Sequence, residues 1–196
     1  MPKLIYYVAA TIDGYIANKN NELDWLYEFM LGDDATPYDD FYRGIGAVIM
    51  GTKTYEWIMT NSPDDWPYKN VPAFVLSHRA LSTPEGLNIT ITNETVRAIA
   101  ARAKKEANGK DVWLVGGGKT AAYFAEAGEL QQIFLTTIPV FLGAGIEVLP
   151  VSEKVHVIPK TQRFLRSGAI ESLLDIYPMD FKMDRGGKGA NPREHR

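Results

Sequence analysis

Residues 4–11, 47–50 and 111–115 are short, nearly continuous apolar runs: Leu-Ile-Tyr-Tyr-Val-Ala-Ala-Thr, Ala-Val-Ile-Met and Asp-Val-Trp-Leu-Val. None shows the in–out alternation of a strand with one wet face, so each belongs in a sheet buried on both faces. Helical periodicity lies between them. Leu23, Leu26, Tyr27 and Met30 recur at helical spacing up to Gly32, and residues 52–59 read as a helix behind Gly51. Val96, Ile99, Ala100 and Ala103 share one face of a helix over 95–107, with Thr95 or Asn93 as its cap and Asn108-Gly109 as its stop. Strands that alternate with helices pair in parallel, because the crossover helix is what covers the sheet.

Residues 73–77 and 88–92 add shorter strands. Residues 61–70, with two prolines and two aspartates, read as an exposed loop. From Gln132 the pattern changes: 132–140, 155–165 and 169–177 look like strands with no helix between them, and Ser167-Gly168 suits a tight hairpin turn. The expectation is one α/β domain over residues 1–177, three layers deep, with a mixed, mostly parallel central sheet that ends in antiparallel strands. Residues 178–196 are rich in glycine and charge and almost devoid of apolar side chains, which predicts a flexible tail.

A chain of 196 residues suits a single core. Its net charge of -3 gives no electrostatic reason to bind nucleic acid. There is no cysteine, hence no disulfide, thiolate nucleophile or cysteine-ligated zinc, and the simplest expectation is a reducing, cytoplasmic setting. No run approaches the roughly 20 apolar residues of a membrane span, and the first residues begin a strand rather than a signal peptide. His78, His156 and His195 have no ligand spacing, so no metal site is expected.

Three strand ends carry chemistry. Val115 runs into Gly116-Gly117-Gly118-Lys119-Thr120 and then a helix; glycines admit an anion to the backbone, and the helix start adds N–H groups and a partial positive charge. A pyrophosphate fits such a corner, and a plain glycine turn is the alternative. A kinase-type phosphate loop would need glycine where Trp113 stands, and the spacing and late position do not match the classical dinucleotide fingerprint. The second corner is Met50-Gly51-Thr52-Lys53-Thr54-Tyr55, where helix-start donors suit another phosphate and Lys53 a 2′-phosphate. Thr as an ordinary cap and Lys as an ordinary surface residue explain it equally. The third is Val75-Leu76-Ser77-His78-Arg79, a hydroxyl with two potential cations, or simply a solvated strand end.

The order and spacing of these three segments resemble the dihydrofolate reductase superfamily: a Gly-x-x-Thr turn at Gly51 and Thr54, a Leu-Ser-x-Arg-like end at Leu76 and Arg79, and a triple-glycine turn at Gly116, Gly117 and Gly118. Thr11-Ile12-Asp13-Gly14-Tyr15-Ile16-Ala17 and Pro139-Val140-Phe141-Leu142-Gly143-Ala144-Gly145 are more similar still to the reductase domain of bifunctional riboflavin biosynthesis proteins and its small stand-alone relatives. The resemblance covers residues 3–177. It implies a dihydrofolate-reductase-like fold with NADPH across the carboxyl ends of the strands. By the same resemblance, Ala10, Gly51, Lys53, Thr54, Leu76, Ser77, His78, Arg79, Val115, Gly116, Gly117, Gly118, Lys119 and Thr120 form the cofactor site. It also implies a cis peptide between Gly116 and Gly117, and a homodimer.

Hydride delivery to a C=N or C=O bond needs a proton source, and two carboxylates compete for that role. Asp24, at the start of the first helix, stands roughly where dihydrofolate reductases place their acid, or it merely caps that helix. Asp13 follows the first strand, facing the expected cleft, or it stabilises the turn at Gly14. Trp25 is the tryptophan best placed to stack on a flat substrate. The Pro-Trp segment of true dihydrofolate reductases is absent. The expected activity is therefore NADPH-dependent reduction of a small pterin-like or ribosylamino-pyrimidine-like heterocycle; a non-catalytic NADP(H)-binding module, acting through a dimer or tail surface, is the alternative.

Overall fold

The structure is a computed structural model that describes residues 1–177. β1 (Leu4–Thr11) leads into a short strand, β2 (Tyr15–Ala17), and two short helices, α1 (Asp24–Tyr27) and α2 (Tyr38–Arg43). Then come β3 (Ile45–Gly51), α3 (Thr52–Asn61), β4 (Ala73–Leu76), β5 (Ile89–Thr92), α4 (Val96–Glu106), β6 (Asp111–Gly116) and α5 (Gly118–Glu126). The last strands are β7 (Gln132–Ile138), β8 (Ile146–Glu147), β9 (Val157–Phe164) and β10 (Ile170–Ile176). Eight of them form one sheet in the order β5-β4-β3-β6-β1-β7-β10-β9, and β2 pairs with β8 beside it. All pairings from β5 to β7 are parallel; β7–β10 and β10–β9 are antiparallel. The mixed three-layer architecture expected from the sequence is the one observed.

The apolar runs fill both faces, as their lack of alternation requires. Leu4, Tyr6, Ala47, Ile49, Val112 and Leu114 pack against α4 and α5. Val48, Met50, Val75 and Trp113 point to the opposite face, with Tyr55 and Ile58 of α3. Thr95 caps α4 as expected, its Oγ1 accepting from the Ala98 N–H at 3.2 Å. Leu165 N–H donates to the Ala169 carbonyl across the β9–β10 turn, where Gly168 has φ +91°.

Four expectations change. The first helix shrinks to the four residues of α1, with no buried residue. α2 was hidden in what reads as a polar stretch, and β2 and β8 are too short to leave a pattern. The loop over 61–70 is not wholly exposed: Trp66 and Tyr68 are buried at 4% and 6% exposure, because their rings pack edge-on to one another and into the α3 face. The tail expected over 178–196 lies outside the described residues.

Candidate active-site cleft

β3 and β6 are parallel neighbours in register, Met50 opposite Gly116, so their carboxyl ends stop at the same level. Each then enters a helix, α3 or α5, and these two starts lie side by side. A Cβ placed on Gly117 would sit 3.6 Å from Thr54 Oγ1, and one on Gly51 would run into Thr120 Oγ1. The Gly116–Gly117 peptide is cis. On its other side, Gly118 is pressed against the Glu147 carbonyl of β8, where any side chain would collide.

Between the corners opens a cleft of about 540 Å³. Gly51, Thr52, Lys53 and Thr54 line one wall, and Val115, Gly117, Gly118, Lys119 and Thr120 the other. The N-caps of α3 and α5 are Gly51 and Gly117, and neither helix start has a side-chain cap. The first N–H groups of both helices are therefore uncapped donors at the head of the cleft. Lys53 and Lys119 are exposed beside them, and neither pairs with a carboxylate among the described residues. The remaining lining is mainly apolar and aromatic: Ile16, Ala17, Leu23, Trp57, Ile58, Tyr68 and Ile146, with Asn21. No aspartate or glutamate appears among the described lining residues.

Several expected site residues stand elsewhere. Asp13 does not line the cleft. Its carboxylate accepts from Thr11 Oγ1 at 2.6 Å, Gly143 N at 2.7 Å and Leu142 N at 3.1 Å, which ties the end of β1 to the loop after β7. The Thr11 hydroxyl first, then the two loop amides, hold its pKa below the ordinary carboxylate value. Asp24 is exposed in the first turn of α1; the N-cap is Leu23, so Asp24 does not cap the helix, and it too is absent from the cleft lining. Trp25 packs into a cluster with Ile138, Leu165 and Ala169 instead of facing the cleft.

The third strand end is adjacent but does not line the cleft. Thr52 Oγ1 donates to the Leu76 carbonyl at 2.9 Å, Ser77 Oγ exchanges hydrogen bonds with the Arg79 backbone, and Arg79 pairs with Glu56 at 2.7 Å. His78 is exposed, and Ala10 is buried in β1 opposite Thr137. Tyr68, Ile16 and Ile146 were missed by sequence reasoning, and of the tryptophans it is Trp57 rather than Trp25 that lines the cleft. The alternation of Trp66 and Tyr68 inside a polar loop was the one available signal that this segment turns inward.

The profile of the RibD C-terminal domain family matches residues 2–162. The chain belongs to this family. It is 35% identical over 144 residues to the uncharacterised protein YwjB of Bacillus subtilis strain 168, spanning 74% of this chain and 80% of YwjB. It is 26% identical over 179 residues to YyaP of the same organism, 86% of this chain and 92% of YyaP. Among solved structures, a Shewanella sp. PV-4 protein provisionally assigned to riboflavin biosynthesis superposes with a TM-score of 0.78 at 20% identity, over 90% of this chain and 99% of that one. Dihydrofolate reductase of Enterococcus faecalis, complexed with NADP(H), superposes with a TM-score of 0.57 at 15% identity over 90% and 97%. The deaminase and 5-amino-6-(5-phosphoribosylamino)uracil reductase of Thermotoga maritima gives 0.61 at 17%, over 90% of this chain and 57% of that protein. The RibD-domain chain thus has the dihydrofolate-reductase-like fold. Among its described residues no helix is long and apolar enough to cross a membrane, and no group of three or more His, Cys, Asp and Glu is placed to hold a metal ion.

Proposed function

We propose that this RibD-domain chain is an NADPH-dependent reductase of a small heterocycle, with the dinucleotide held in the cleft between α3 and α5. The observation that carries this is the pair of uncapped helix starts lying side by side, flanked by Lys53 and Lys119, with no carboxylate among the described lining residues to repel phosphate. Helix N-terminal amides and an ammonium group are the donors a diphosphate needs, and glycine at both N-caps leaves the backbone open to it. When bound, NADPH supplies a hydride. The chain's own part is to fix the phosphates at the corners and to exclude water along the apolar wall of Ile16, Leu23, Trp57 and Ile146. Relatives of known fold include a protein named as a 5-amino-6-(5-phosphoribosylamino)uracil reductase and a dihydrofolate reductase seen with NADP(H), which supports the cofactor and the choice of substrates to try. The lack of a carboxylate among the described lining residues favours a ribosylamino-pyrimidine over a pterin, whose amidine edge calls for an acidic partner.

The test is the loss of reduced-nicotinamide absorbance when the full chain is mixed with NADPH and either 5-amino-6-(5-phosphoribosylamino)uracil or 7,8-dihydrofolate. Turnover of the first, well above the second, is expected. Tight NADPH binding with no oxidation by either would favour a non-catalytic binding module instead.

A homodimer is also proposed, from the family resemblance; sedimentation equilibrium of the full chain is expected to give twice the chain mass of 21.9 kDa.

A further inference from the structure

We propose that the Tyr68 hydroxyl is the group that contacts the reacting bond of the substrate and gives it a proton, in place of a carboxylate. This rests on the reductase reading above and deepens it.

The cleft holds few acidic hydrogens. Among its described lining residues there is no aspartate, glutamate or histidine, so the proton donors left are hydroxyls and the two lysines. Lys53 and Lys119 stand with the uncapped helix starts, where phosphate belongs. Thr52 spends its hydroxyl on the Leu76 carbonyl, and Thr54 and Thr120 lie against the glycines of the opposite corners. Tyr68 is the one that sits among the apolar lining, where a flat ring binds.

Its placement is that of a fixed tool. The ring is 6% exposed and clamped edge-on by Trp113, centroids 5.4 Å apart at 90°, and by Trp66 at 5.3 Å and 86°. Tyr42 packs alongside at 6.5 Å. Val71 N–H donates to the Tyr68 carbonyl, which closes the turn that carries the ring inward. The hydroxyl makes no hydrogen bond to any described residue, yet it is not sealed from solvent, since it is absent from the buried unpartnered atoms that include Tyr42 Oη. A polar tip on a buried, immobilised ring is left without a partner only where a ligand or water takes it. Burial pushes the phenol pKa up, which makes it a weaker acid, so its contribution comes from its fixed position at the substrate rather than from an acidic phenol.

The chemistry balances with these parts. NADPH, when bound, would supply the hydride for the carbon of a C=N or C=O bond; the heteroatom that receives the bond's electron pair would take the Tyr68 proton, and solvent water would return a proton to the phenolate. The substrate class follows: a molecule whose reduced C=N or C=O bond ends in a hydrogen-bond acceptor, presented to a cleft that Trp57 also lines.

The test uses the full chain with NADPH and 5-amino-6-(5-phosphoribosylamino)uracil. Tyr68→Phe is expected to bind NADPH as the parent does and to lose about 100-fold in kcat, the range of a lost general acid, with a smaller rise in KM. A second protein carries 3-fluorotyrosine at position 68, which keeps ring size and hydroxyl. Its fluorine resonance is expected to shift when the uracil compound is added to the NADP+-saturated protein, a readout of contact that needs no turnover and holds even if Tyr68→Phe folds poorly. Parent turnover that Tyr68→Phe retains within about twofold, or a fluorine signal that does not move, overturns the assignment and leaves the reductase reading standing. Collapse of activity in Asp24→Asn with Tyr68→Phe still active overturns it in favour of a carboxylate acid. NADPH binding without turnover of either test substrate by the parent chain overturns the reductase reading and this assignment with it.

Discussion

Gly118 shows how much one missing Cβ decides. It begins α5 hard against the Glu147 carbonyl, so Gly118→Ala must displace either the helix start or β8. Such overpacking costs about 1–3 kcal/mol, and we expect a loss of that size in urea denaturation together with weaker NADPH binding. Asp13 works differently. Its pKa is lowered in the folded chain, so its three hydrogen bonds contribute stability that is fully present above the unfolded carboxylate pKa and is lost as pH falls through the folded value. Asp13→Asn should therefore be less stable than the parent near neutral pH, and the gap should close below about pH 4. Urea midpoints at both pH values check this; a gap that persists in acid would contradict it. The same residue shows where sequence reasoning stops. Asp13 was legible as a turn residue, but the amides of Leu142 and Gly143 that consume its lone pairs come from a loop about 130 positions away, which no local pattern reveals.

At the scale of elements, the long buried strands were readable from their uninterrupted apolar runs, α4 from its repeated apolar face, and α3 and α5 from the glycine corners that precede them. α2 was not. It is six residues long, begins after Pro37, and owes its stability to packing: Phe41 stacks on Tyr7 with centroids 4.0 Å apart, and Tyr42 meets Trp113. Phe41→Ala is expected to cost about 2 kcal/mol by denaturation, less than full burial would, because Phe41 is only partly buried. The segment before α2 is pinned from the other end of the chain. Glu171 on β10, 5% exposed, accepts from Thr36 N at 2.7 Å, Thr36 Oγ1 at 2.8 Å and Arg163 at 2.5 Å. Burial alone would raise the Glu171 pKa, but the Thr36 amide, the Arg163 guanidinium and the Thr36 hydroxyl outweigh it and hold the carboxyl ionised. Glu171→Ala strands these donors and should destabilise the chain by about 1–3 kcal/mol. Hydrogen exchange is expected to rise at Thr36 and through α2 rather than across the sheet.

Across the whole molecule, sheet order turns separate motifs into one site. β3 and β6 are about 65 residues apart in sequence, and only their parallel pairing brings Thr54 beside Gly117. The glycine corners were visible in the sequence, and their adjacency followed from a buried parallel sheet. The apolar wall was not visible, since Ile16 and Ile146 reach it through strands of three and two residues, and Tyr68 through a loop. If the corners hold one diphosphate, Lys53→Ala and Lys119→Ala should each weaken NADPH binding by about tenfold, the cost of one charge-assisted hydrogen bond, and both effects should shrink at high salt. The most direct measurement is an NADPH titration followed by backbone amide NMR on the full chain. The largest shifts should fall at Gly51, Thr52, Lys53 and Thr54 and at Gly117, Gly118, Lys119 and Thr120 together, saturating at one common concentration. Shifts confined to one corner, or centred at the opposite end of the sheet around Lys3 and Lys160, would contradict the shared diphosphate site.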